Sequence, residues 1–132
     1  MEVMEKAGEL VRQGKVGSAI DLLEQAVANG EESGELCKQI ARLCHSVNEM
    51  RAFANWCHEA MRIDPSDGEP HLMMARELHR MGRWDEAEEA LEHALRMTSL
   101  STDQRAEAEM LLDRASTASA RRRAANPGYS NL

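Results

Sequence analysis

Two Cys-His dipeptides, Cys44-His45 and Cys57-His58, are the residues in this 132-residue chain best suited to chemistry. Thiolates and imidazoles together can hold zinc in a four-coordinate site. Three cysteines are present, Cys37 being the third, and none belongs to a Cys-x-x-Cys pair. His58-Glu59-x-x-Arg62 approaches the zinc-protease pattern His-Glu-x-x-His, but a permanently charged arginine stands where the second ligand is needed. No glycine-rich phosphate loop occurs, and no serine sits in a nucleophile elbow. Cys37, Cys44 and Cys57 all fall on apolar helical stripes, where buried cysteine acts as a small hydrophobe. The residues therefore predict a protein that is not an enzyme and carries no cofactor and no metal. A Cys/His metal-binding protein is the lesser alternative. An odd number of cysteines without a paired spacing suits free thiols in a reducing compartment.

A second set of residues offers recognition rather than catalysis. Lys38, Arg42 and His45 share one helical face by their spacing, and Arg76, His79 and Arg80 do the same further along. Ammonium and guanidinium groups bind carboxylates, guanidinium as a two-pronged fork. The chain as a whole is acidic, with 16 Lys and Arg against 23 Asp and Glu and a net charge of −7. That balance argues against nucleic acid, which needs clustered cations across the binding surface. The fitting partner is an acidic segment of another protein. The competing reading is a solvated face in which Glu35 pairs with Lys38.

The elements that must carry these side chains are helices. The chain is 42% hydrophobic, with two Trp, one Tyr and one Phe, and it favours helix formers over β-branched residues. Cys37, Ile40, Ala41 and Cys44 follow the i, i+3, i+4, i+7 spacing of one helical stripe. Phe53, Trp56, Cys57 and Ala60 form another, ended by Asp64-Pro65. A period of 34 residues runs through the sequence: Ala26, Ala60 and Ala94; Leu23, Cys57 and Leu91; Gly34 and Gly68; Arg42 and Arg76; His45 and His79. Gly14 and Gly82 mark turns between helices of the first and third units. No apolar run approaches the ~20 residues that span a bilayer, and the start lacks signal-peptide character. A cytoplasmic protein without membrane insertion is expected.

With this period and these residues the chain resembles the tetratricopeptide-repeat family, whose 34-residue signature runs Trp-x2-Leu-Gly-x2-Tyr, Ala-x3-Phe and Pro. Residues 68–101 match best, through Leu78, Gly82-Arg83-Trp84-Asp85-Glu86-Ala87, Leu91 and Ala94. Residues 34–67 end in Ala60-Met61-Arg62-Ile63-Asp64-Pro65. Phe53 departs from the family's small alanine at that slot and should splay or repack its unit. The first unit fits in two registers.

The resemblance implies an all-α fold. Three repeats, residues 1–33, 34–67 and 68–101, would stack into a right-handed superhelical solenoid. A capping helix over residues 102–120 would make seven helices, with a flexible tail at 121–132. Ser101-Thr102-Asp103 offers the cap's N-terminus. In the family the first helices line a concave groove. Lys38, Gln39, Arg42, His45, Leu72, Met73, Arg76, His79 and Arg80 are then the expected partner-binding residues, Arg42 and Arg76 forming a basic ladder and Leu72 and Met73 giving apolar contact. The implied function is an adaptor or scaffold module. The alternative is a dedicated chaperone for a secreted or assembling subunit, similar to small bacterial secretion chaperones. The clamp that grips heat-shock chaperone C-termini is not matched. Its slots hold Met4 and Gly8, or Glu5 and Glu9, then Gln39, Glu69 and Met73, so that peptide is not the expected partner. A homodimer through the caps or the Phe53 irregularity is the remaining arrangement.

Overall fold

Each helix pair is joined by a turn with the same hydrogen-bond pattern. In the computed structural model, which describes residues 2–126, the turn residues Gly14, Asn48 and Gly82 have φ of +79°, +62° and +73°. Each turn amide bonds the carbonyl three residues back: Gly14 to Val11 at 2.9 Å, Asn48 to His45 at 3.0 Å, Gly82 to His79 at 3.1 Å. The next amide bonds five back: Lys15 to Leu10, Glu49 to Cys44, Arg83 to Leu78. These are Schellman caps, which need a left-handed residue where the helix stops. Their spacing of 34 residues puts the first repeat in phase with the other two, so its register is single.

The helices are α1 (Glu2–Arg12), α2 (Val16–Ala28), α3 (Gly34–Ser46), α4 (Met50–Ile63), α5 (Glu69–Arg80), α6 (Trp84–Arg96) and α7 (Thr102–Ala125). Among the described residues there is no strand. None of the described helices is long and apolar enough to cross a membrane.

The chain divides into two compact units, one ending at Pro65 and the other beginning at Ser66. In the first, α1 packs on α2, α2 on α3, and α3 on α4. Leu23, Leu36, Ile40, Cys37, Cys44 and Cys57 are fully buried there. Phe53 is buried as well, and its ring lies edge-on to His45, with centroids 5.2 Å apart.

In the second unit α5 packs on α6, and α7 packs on both. Leu72, Ala75, Leu91, Ala94, Leu100, Ala108 and Leu111 form its core. Each buried leucine contributes roughly 2 kcal/mol of transfer free energy. Gly68 lies in a tight place: a Cβ there would stand 3.1 Å from the Ala94 carbonyl oxygen, Leu100 and Met97. Ser101 starts α7 with a full capping box to Gln104.

The helix expected to end at Ala120 instead continues to Ala125. Its last turns are held from outside. Arg122 donates to the Gly82 carbonyl at 3.0 Å, Arg123 stands 3.6 Å from the Asp85 carboxylate, and Ser119 donates to Asp85. Residues 121–125 of the expected tail are therefore helical, and residues 127–132 lie outside the described residues.

Candidate partner-binding faces

Lys38, Gln39, Arg42 and His45 belong to α3 and the first unit; Leu72, Met73, Arg76, His79 and Arg80 belong to α5 and the second. Each unit brings its own residues together, and each is described by itself.

On α3, Glu35 in the first turn is the organising group. Its carboxylate sits 3.1 Å from the Lys38 ammonium and 3.7 Å from the Arg42 guanidinium. Arg42 also donates to Gln39 Oε1 at 3.4 Å. Lys38 is only 9% exposed, so its aliphatic stem is packed away while the ammonium reaches the carboxylate. Lys38 thus steadies Glu35, the pairing that the spacing of three allows, and does not present an open charge. Arg42 keeps 39% of its side chain exposed. His45 is exposed and turned toward Phe53.

On α5, Arg76 reaches across to α7. Its Nε donates to Glu107 Oε2 at 2.8 Å and its Nη2 to Oε1 at 2.7 Å, a two-pronged charge-assisted pair. The Glu107 hydrogen bonds, then its charge, hold the Arg76 guanidinium even more firmly protonated than usual. The same contact draws the Glu107 carboxyl below its ordinary pKa. Arg80 donates from Nε to Glu77 Oε1 at 2.9 Å, and Glu77 is buried. His79 lies edge-on to Trp84 with centroids 5.0 Å apart, and its Nε2 is buried without a hydrogen-bond partner among the described residues.

Leu72 and Met73 need correction. Expected on the open face, they are 0% and 6% exposed. For Leu72 the reason is α7, which covers α5 as well as α6 and draws Leu72 into the core with Ala108 and Leu111. Among the described residues the large exposed apolar side chains are instead Val47, Met81 and Met110.

Two carboxylates, Glu77 and Glu107, escaped the sequence reading as parts of the faces. Glu77 was legible, since it stands three residues before Arg80, as Glu35 does before Lys38. Glu107 was not: it lies 31 residues from Arg76, off the repeat period, and only α7's docking joins the two.

The cysteines are free thiols in the core. Burial pushes the Cys57 thiol up to about 12 and raises Cys37 and Cys44 as well. Such thiols are poor nucleophiles and poor ligands, because the thiolate is the reactive form. Among the described residues no group of three or more His, Cys, Asp or Glu is placed to hold a metal ion. His71 and His93 stack at 5.5 Å, with Arg96 against His93 Nδ1. A cleft of about 240 Å³ beside α6 is lined by Asp85, Glu88, Glu89, Glu92, Arg96 and Arg123.

The family model for the tetratricopeptide repeat matches residues 71–124. Among curated proteins no sequence matches significantly. Among solved structures, the P58(IPK) TPR domain is similar at a TM-score of 0.75 and 20% identity, over 88% of this chain. This chain covers 32% of that one, about a third of its length. The first TPR of Spaghetti (RPAP3), bound to the HSP90 peptide SRMEEVD, is similar at 0.71 and 19% identity, over 89% of this chain and 90% of that one. PcrH, in complex with the chaperone-binding region of PopD, is similar at 0.72 and 12% identity, over 92% of this chain and 91% of that one.

Proposed function

We propose that this chain, whose residues 71–124 match the tetratricopeptide-repeat model and whose fold is that of such repeats, is a protein-interaction module whose first-helix faces hold an acidic segment of a partner. One observation carries the reading: Arg42, Arg76 and Arg80 keep 39%, 45% and 65% of their side chains exposed even within their ion pairs. Pairs as open as Arg42–Glu35 and Arg76–Glu107 contribute about 0–1 kcal/mol each, whereas Arg80 offers an exposed guanidinium beside a buried Glu77. A carboxylate arriving from a partner can therefore exchange into the Arg42 and Arg76 pairs at little loss, and can add to Arg80 on its exposed side. The contact set is Arg42, Gln39 and His45 on α3, and Arg76, His79 and Arg80 on α5. Lys38 serves by positioning Glu35. Leu72 and Met73 leave the set because they are buried.

The likeness to PcrH, which extends over 91% of that chain, supports a second reading. In it the protein is a dedicated chaperone for a secreted or assembling subunit and grips a mostly apolar segment. Salt separates the two, because exposed charge pairs are screened within about 10 Å at 0.1 M ionic strength. Chemical crosslinking of captured partner at low and high salt is the test. The adaptor reading predicts an acidic crosslinked segment whose capture falls at least tenfold between about 0.05 and 0.5 M salt. An apolar segment held equally at both salts contradicts it and supports the chaperone.

A further inference from the structure

Arg76 already has a carboxylate in its fork, and that carboxylate comes from a different element. Glu107 of α7 meets the Arg76 guanidinium through two parallel bonds of 2.8 and 2.7 Å. This is the geometry with which arginine takes a carboxylate from another molecule. Arg76 and Glu107 stay partly open to solvent, at 45% and 34% of their side chains. The pair is therefore reachable.

The other ties between α7 and its unit do not need Glu107. Gln104 donates to Glu69 at 2.7 Å. Arg105 donates to the carbonyls of Leu95 at 3.0 Å and Met97 at 2.6 Å, satisfying the end of α6. Ala108, Leu111 and Ala115 are buried. With α7 anchored so many times, the Arg76–Glu107 bond can open while the helix remains docked.

We propose that Glu107 is a built-in competitor for the Arg76 fork, a side chain of the chain's own that a partner carboxylate must displace. The proposal rests on the reading of the α5 face as a binding surface for acidic segments. It sharpens the ligand class: at this position the partner presents a carboxylate able to accept both Arg76 donors at once. It also gives the surface a selectivity device, because a single weak carboxylate fails to displace Glu107 whereas a run of acidic residues succeeds by multiple contacts.

The test is fluorescence anisotropy with a fluorescein-labelled hexaglutamate peptide on the full chain. The proteins compared are the original, Glu107→Gln, Arg76→Gln with Glu107→Gln, and Arg42→Glu with Arg76→Glu. Glutamine keeps the shape of Glu107 and one hydrogen bond, and circular dichroism confirms that each variant folds. Glu107→Gln is expected to bind about fivefold more tightly than the original, the worth of one exposed pair, and the gain is lost when Arg76 is also replaced. In the original chain the Arg76 Nε–H resonance should move as peptide is added. If Glu107→Gln binds no more tightly while the double charge reversal still abolishes binding, the competitor is refuted and the acidic-partner reading stands. If neither the original nor Glu107→Gln binds, both are overturned.

Discussion

Arg76 and Cys57 show what burial and a partner do to a single group. The Arg76 contact, first by hydrogen bonding and then by charge, keeps Glu107 ionised below the ordinary carboxylate range. A carboxyl depressed in the folded state adds stability above its unfolded pKa and loses it as pH falls through the folded value. The melting temperature of the original chain should therefore exceed that of Glu107→Gln above about pH 5, and the difference should shrink as acid protonates Glu107. Thermal melts from pH 7 downward measure this; a difference that grows in acid contradicts the pairing. Cys57, pushed up to about 12 by burial, makes the opposite kind of statement. At pH 8 iodoacetamide should leave Cys37, Cys44 and Cys57 unmodified in the native protein and alkylate all three in denaturant. A mass spectrum showing native alkylation at the rate of an open thiol would place one of them outside the core.

At the scale of elements, the turns carry the phase of the repeat. Gly14, Asn48 and Gly82 occupy one left-handed position, which favours glycine and tolerates asparagine. Gly82→Ala and Asn48→Ala should each cost about 1 kcal/mol, whereas Asn48→Gly should cost nothing or stabilise slightly. Urea unfolding reads these differences directly, and an alanine as stable as glycine at either position would rule out the strain argument. The helix pairs were legible because apolar spacing and the 34-residue period are written in the chain. The core role of the cysteines followed from the same stripes. The Glu35–Lys38 pair was legible from spacing of three. The burial of Leu72 was not, because it depends on α7 covering a second side of α5. The continuation of α7 to Ala125 was hidden for a similar reason: the contacts of Asp85 with Ser119 and with Arg123, and of Arg122 with Gly82, span 34 to 40 residues.

For the whole molecule, a net charge of −7 conceals cations gathered on α3 and α5. Those cations are not idle: Lys38 is used internally, and Arg42, Arg76 and Arg80 are open enough to be shared. In the proposed function, recognition works by exchange of carboxylates rather than by filling an empty basic surface. The central claim is that Arg42 and Arg76 select acidic segments. Selection of binders from a random peptide library, run in parallel with the original chain and with Arg42→Glu plus Arg76→Glu, measures that choice without assuming a partner. The account predicts that the original chain enriches peptides containing runs of Asp and Glu and that the charge-reversed chain does not. Enrichment of the same apolar peptides by both proteins would contradict it.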